Sequence, residues 1–186
     1  MQGNALIHLM KYYLGFDKPN SQTSIAEQEC IKKYAQNSAV CLEIGVFEGV
    51  NTLIIANSMD PFFKGKMGIC YYELIAKSEL RKKNLLDRVK FISKFSFNAS
   101  EDVPNGIDFI FIDGDHSLEG IKKDWEIFSQ KIKSGGMIAL HDTSIPNHNP
   151  SVKGLGSYQY FNEYIIKDNR FEYIETVDSL NVMKRK

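Results

Sequence analysis

The stretch Ala39-Val40-Cys41-Leu42-Glu43-Ile44-Gly45-Val46-Phe47-Glu48-Gly49-Val50-Asn51-Thr52 decides the fold. Its apolar run, Ala39 to Ile44, stops at Gly45, as a strand buried on both faces would. Gly45 and Gly49 bracket a turn, and helix-like patterning resumes over residues 50–58. Glycine lets backbone approach a ligand closely, and a helix N-terminus offers free N–H groups to a carboxylate or phosphate. Glu43 occupies the place of the first glycine in the dinucleotide fingerprint G-x-G-x-x-G, so this turn is of another kind.

Downstream the alternation repeats. Lys66–Tyr72 reads as a strand, Ala76–Leu86 as a helix, and Val89–Ser93 and Ile107–Ile112 as strands. Leu118, Ile121, Trp125, Phe128 and Ile132 recur at helical spacing, which predicts a helix over 117–133 that Gly135-Gly136 stops. Met137–Leu140 is the next strand, and the Pro-, Gly- and Asn-rich residues 143–156 form a loop. Tyr158–Ile166 looks helical, and Phe171–Thr176 and Leu180–Met183 close the chain as an antiparallel hairpin. Upstream, Ser24-Ile25-Ala26-Glu27 has capping-box spacing and opens a helix to about Ala35. Residues 15–23 are turn formers, and residues 4–14 are a short amphipathic helix. The pattern predicts one α/β domain, a mostly parallel sheet covered by helices on both faces. Residues 1–23 are its N-terminal helix and cover segment, and 24–186 its Rossmann-like core.

Composition narrows the partners. With 23 basic and 23 acidic residues, no global field favours nucleic acid or an anionic membrane. Cys30, Cys41 and Cys70 are odd in number and lack C-x-x-C spacing, which argues against disulfides and a zinc-thiolate site and for a reducing cytoplasm. The apolar stretch Ala5–Met10 is too short to span a bilayer.

In an open α/β sheet, ligands bind beyond the carboxyl ends of the strands. Three clusters lie there: the Glu43–Thr52 turn, Asp113-Gly114-Asp115-His116-Ser117, and His141-Asp142-Thr143. Carboxylates at a strand end can hold a hard cation, and histidine accepts a proton near neutral pH. The bland alternative for Asp115 and Ser117 is capping of the next helix. His8 reads as a packing histidine and His148 as an exposed one.

Taken in order, Glu-Ile-Gly-Val-Phe-Glu-Gly-Val-Asn-Thr, Phe-Ile-Asp-Gly-Asp-His-Ser and Ser-Gly-Gly-Met-Ile-Ala-Leu-His-Asp-Thr resemble small bacterial class I S-adenosylmethionine-dependent methyltransferases. More distantly they resemble the catechol and caffeoyl-CoA O-methyltransferases. The resemblance covers roughly residues 21–186 and implies a seven-stranded sheet ending in a reversed hairpin. It implies that Glu43, Gly45, Val46, Gly49 and Asn51 or Thr52 surround the methionine part of the cofactor. Asp113 matches a carboxylate that binds magnesium beside the methyl group, and His116 falls where catechol-type relatives place a catalytic lysine. His141-Asp142 falls where those relatives supply the remaining metal ligands. The acid that usually binds the ribose is replaced by Cys70, for which Glu73 would substitute. Ser96, in Lys94-Phe95-Ser96, is left to reach adenine.

The expected reaction is O-methylation of a small-molecule hydroxyl, on a sugar or secondary metabolite. Asp113, His116 and His141 form the catalytic group, while Asp113, His141 and Asp142 would hold a divalent cation. That cation is magnesium, or manganese or zinc if His141 is a ligand. Two rivals stay open, a non-catalytic S-adenosylmethionine-binding sensor or partner subunit and a nicotinamide oxidoreductase. The apolar stripe of residues 5–14 leaves a homodimer open.

Overall fold

The computed structural model describes residues 5–58 and 71–186. Five strands form one mixed sheet: β1 (Cys41–Ile44), β2 (Ile107–Ile112), β3 (Ile132–Leu140), β4 (Phe171–Val177) and β5 (Leu180–Arg185). Their order is β1-β2-β3-β5-β4, with β1, β2 and β3 parallel and the terminal hairpin antiparallel. The helices are α1 (Ala5–Tyr13), α2 (Ile25–Ala35), α3 (Val50–Ser58), α4 (Tyr71–Lys82), α5 (Leu118–Phe128) and α6 (Gly156–Glu163).

The strands read as unbroken apolar runs because both faces are covered. Leu42, Ile44, Ile110, Ile112, Ile138 and Leu140 pack with Ile121, Trp125 and Phe128 of α5 and Tyr160 and Phe161 of α6. Cys41, Phe109, Phe111 and Ala139 face the other way, onto Ile31 and Ala35 of α2, Ile55 of α3 and Leu80 of α4. Burial pushes the Cys41 thiol up to about 12 and the Cys30 thiol up to about 11, so both pack as inert small hydrophobes. The capping box forms as spaced: Ser24 Oγ accepts from Glu27 N–H and Glu27 Oε2 accepts from Ser24 N–H.

Four expectations differ from the described structure or fall partly outside it. The described residues hold five strands, not seven. The strand expected at Val89–Ser93 is irregular chain whose Val89 and Ile92 are buried. Among the described residues, no strand pairs with the outer edge of β1. Of the strand expected at Lys66–Tyr72, residues 66–70, with Cys70, lie outside the described residues, and Tyr71 opens α4. Finally, α5 ends at Phe128, and Gly135-Gly136 lie inside β3 instead of stopping a helix. Ile107 pairs with Ile132 but Phe109 with Met137, so residues 133–136 bulge out of the ladder. Gly135 takes φ +79° there, and a Cβ on Gly136 would stand 3.0 Å from two carbonyl oxygens of β2.

Candidate active site at the strand ends

The register sets Ile44, Ile112 and Leu140 side by side, so Gly45, Asp113 and His141 leave the sheet at one level. The ladder runs one step further: Asp113 N–H donates to Ile44 O (2.8 Å) and His141 N–H to Ile112 O (2.9 Å). A cavity of about 500 Å³ opens here, walled by Gly45, Val46, Phe95, Ser96, Asp113 and Gly114. That volume suits a small-molecule ligand. Four of the expected cofactor residues, Gly45, Val46, Ser96 and Asp113, therefore share one cavity wall.

The remaining ones do not line it. Glu43 is fully buried and its Oε2 accepts from Thr52 Oγ1 at 2.5 Å. Burial pushes its carboxyl up to about 8, against the opposing effect of the Thr52 bond. Asn51 is engaged by the Thr23 hydroxyl at 2.9 Å. Gly49 has φ +82°, and a Cβ on it would sit 2.5 Å from Ala76 Cβ in α4. Glu73 is ion-paired with Lys77 on α4 and is not among the residues that wall this cavity. At Gly45, which does wall the cavity, a Cβ would stand 1.8 Å from Asp113 O. Its glycine is required by the neighbouring strand end before any ligand arrives.

The second and third clusters meet. One donor atom each from Asp113, His116 and His141 lies within 4.8 Å of the others. His141 Nδ1 and Asp113 Oδ1 are buried and form an ion pair at 2.9 Å. His116 Nε2 is 3.5 Å from the same carboxylate oxygen. Two ligand atoms each about 2.1 Å from one ion at a right angle lie about 3 Å apart, so this spacing fits a shared cation. Asp142, expected as a ligand, stands outside the trio, with Oδ2 3.8 Å from both His116 Nε2 and His141 Nδ1. The backbone leaves strand geometry at Asp142 (φ +53°), so it does not continue the alternation of β3. Burial works to lower the pKa of His141, but the Asp113, Glu27 and Asp142 carboxylates outweigh it and raise it to about 10.

The start of α6 reaches this rim. Ser157 N–H donates to His116 O and Ser157 Oγ to Asp142 O. Ser117 caps α5 through Gly120 N–H, whereas Asp115 accepts from Ser117 and also lines the cavity. His148 is exposed, as expected. His8, however, does not merely pack: it lies 2.9 Å from Asp17 and 3.0 Å from Glu48. Glu48, buried in the turn after β1, also accepts from Asn20 N–H at 2.6 Å, which ties the N-terminal segment to that turn. Sequence reasoning missed Glu48. It also missed Asp124, a buried carboxyl beneath Ser96 that burial pushes up to about 6. Glu27 was legible only as half of a capping box.

The fold is shared with solved methyltransferases. The chain is 19% identical to the O-methyltransferase from Bacillus cereus in complex with SAH (TM-score 0.69, covering 100% of this chain and 92% of that one). It is 16% identical to the O-methyltransferase TomG from Streptomyces achromogenes in complex with SAM (TM-score 0.70, 100% and 91%). The SAH-bound Podospora anserina methyltransferase PaMTH1 gives 16% identity and a TM-score of 0.73, covering 99% and 88%. At these identities the likeness is one of fold.

Residues 42–143, which carry all three strand-end clusters, match the family model described as a methyltransferase domain, and the chain belongs to that family. Among curated proteins it is 26% identical over 130 residues to the uncharacterized protein R132 of Acanthamoeba polyphaga mimivirus, covering 64% of this chain. The match spans 58% of that relative's length. Among the described residues, no helix is long and apolar enough to cross a membrane.

Proposed function

We propose that the chain is an S-adenosylmethionine-dependent methyltransferase that methylates a hydroxyl oxygen of a small molecule, such as a sugar or secondary metabolite. The observation that carries this reading is the double placement of Asp113. It walls the cavity beside Gly45 and joins His116 and His141 at the corner of the same sheet edge. When bound, the cofactor supplies an electrophilic methyl group. Gly45, Val46 and Ser96 would hold it against Asp113, and alignment with the acceptor would supply much of the acceleration.

His116 is the partly open member of the trio, its side chain 29% exposed against 5% for His141. Its Nε2 would take the proton from the acceptor hydroxyl as the new bond forms, with Asp113 beside it stabilising the resulting imidazolium. Asp113 Oδ1 and His141 Nδ1 would hold a divalent cation, with Asp142 near enough to join through modest rotation. A cation there would lower the hydroxyl pKa and fix its direction. The imidazole donor shifts the preference from magnesium toward manganese or zinc.

Titration calorimetry with S-adenosylmethionine tests the first half, and absence of binding by the folded chain would end it. Transfer of labelled methyl to hydroxylated sugars and phenols, in chelator and after add-back of magnesium, manganese and zinc, tests the second. Full turnover in chelator would remove the cation and leave His116 as the base.

A further inference from the structure

One buried carboxylate belongs neither to the cavity nor to the trio. Glu27 lies on α2 and is 2% exposed. Its Oε1 accepts from Ser179 N–H (2.9 Å) and Ser179 Oγ (2.7 Å), in the tip of the terminal hairpin. Its Oε2 accepts from Ser24 N–H (2.7 Å) and lies 3.5 Å from His141 Nε2. The three hydrogen bonds fix both oxygens in place, and His141 is left between two carboxylates. Asp113 stands at Nδ1 and Glu27 at Nε2.

An imidazole whose two nitrogens face different partners has its ring rotation set by both. A carboxylate behind the ring directs the other nitrogen outward, as the outer-shell partners of metal-binding histidines do. The capping box alone does not account for Glu27. That task uses Oε2 and Ser24, yet the same residue also holds Ser179 across a sequence separation of 152 residues. The hairpin tip, α2 and β3 are thereby joined at the back of His141.

We propose that Glu27 is a positioning residue that receives the Nε2–H of His141 and turns Nδ1 toward Asp113 and the candidate cation position. Glu27 does not touch the cavity. It acts through the ring, by keeping the Nε2 side occupied so that Nδ1 is the nitrogen presented. The assignment rests on the reading of the Asp113 corner as the reacting site, but its test needs neither cofactor nor acceptor.

The experiment is a long-range ¹H–¹⁵N spectrum of the full chain carrying ¹⁵N-histidine, free of metal and cofactor, with His141→Asn to assign the signals. Wild-type His141 is expected to show a hydrogen on Nε2 that exchanges slowly with water. Glu27→Gln should shift the Nε2 resonance and lose the protected hydrogen. Ser24→Ala removes the other half of the capping box while leaving the Glu27 carboxylate, and should leave the His141 signals as in wild type. In parallel, manganese affinity by calorimetry should fall about 10- to 100-fold in Glu27→Gln.

A wild-type ring without hydrogen on Nε2 overturns the assignment with no variant needed, even if Glu27→Gln fails to fold. A folded Glu27→Gln with an unchanged His141 spectrum does so as well. Equal shifts from Ser24→Ala would show that Glu27 acts only through the helix start. Loss of S-adenosylmethionine binding or turnover with an intact Nε2–H signature would instead count against the proposed reaction and leave the positioning role standing.

Discussion

The turn after β1 and the corner after β2 and β3 are adjacent, polar and equally prominent in the sequence, but the fold treats them in opposite ways. In the turn, polar side chains are satisfied from within: Glu43 by Thr52, Asn51 by Thr23, and Glu48 by His8 and Asn20. In the corner, Asp113 Oδ1 and His141 Nδ1 are buried against each other at 2.9 Å, and the His116 ring faces the same carboxylate oxygen at 3.5 Å. The difference separates scaffold from chemistry. The turn's motif marks a place where the backbone must fit, and the corner marks a place where three donor atoms face one point.

The largest expected effect lies in the turn. Gly45→Val puts a Cβ onto the Asp113 carbonyl, 1.8 Å away, and requires a branched residue at φ +93°. Neither the strand end nor the turn can yield without breaking the ladder between β1 and β2. The variant is expected to lose cooperative unfolding, or to be destabilised by more than about 4 kcal/mol, in circular-dichroism melts. A folded Gly45→Val with near wild-type stability would show that the turn is not scaffold after all.

Next is the corner. His116→Ala should lower turnover by about a hundredfold or more, the usual range for a lost general base, while changing stability by less than about 1 kcal/mol. Cofactor affinity should stay within about twofold, because His116 does not wall the cavity. Steady-state kinetics beside a thermal melt give both readings. A large loss of stability with turnover intact would move His116 from chemistry to scaffold and erase the contrast.

How much of this contrast the sequence carried depends on range. Asp113, His116 and His141 were legible because each follows an apolar strand, and parallel neighbours bring their ends together. The internal satisfaction of the turn was not legible, since Glu43–Thr52 and Asn51–Thr23 depend on side-chain directions that spacing alone does not give. Glu27 was hidden for a stronger reason, because its partner Ser179 lies 152 residues away. The bulge at Gly135-Gly136 was misread because a glycine pair that stops a helix and one that turns a strand outward look alike in sequence. Only the pairing of Phe109 with Met137 separates them.

A smaller effect tests the internal bonding of the turn. Thr52→Val keeps the shape of the side chain but removes the hydroxyl that Glu43 Oε2 accepts from. A destabilisation of about 1–3 kcal/mol is expected by urea unfolding at neutral pH. A change within about 0.3 kcal/mol would mean that Glu43 has another partner and that the turn is less closed than its geometry indicates.

The subtlest effect is a change of slope rather than of level. In the folded chain burial holds the Glu43 carboxyl at about 8, whereas its ordinary value is 4.5. Between those values the unfolded chain has given up the proton and the folded chain has kept it. Rising pH therefore favours the unfolded state. The stability tied to the neutral carboxyl is complete below 4.5 and is lost as pH climbs through 8. The slope cannot exceed about 1.4 kcal/mol per pH unit for one proton. Glu43→Gln has nothing to ionise and retains an amide that can still bond Thr52, so it should lack this slope. Every other titrating group, His141 included, contributes to both proteins, and the difference between their stability curves isolates Glu43. Urea unfolding at pH 5, 6.5 and 8 should show the variant gaining on wild type by on the order of a few kcal/mol across the range. Parallel curves would mean that Glu43 is ionised in the folded chain. A buried, ionised carboxylate beside the cavity would need a cationic partner. That result would return the turn from scaffold to ligand binding, and the distinction between turn and corner would fall.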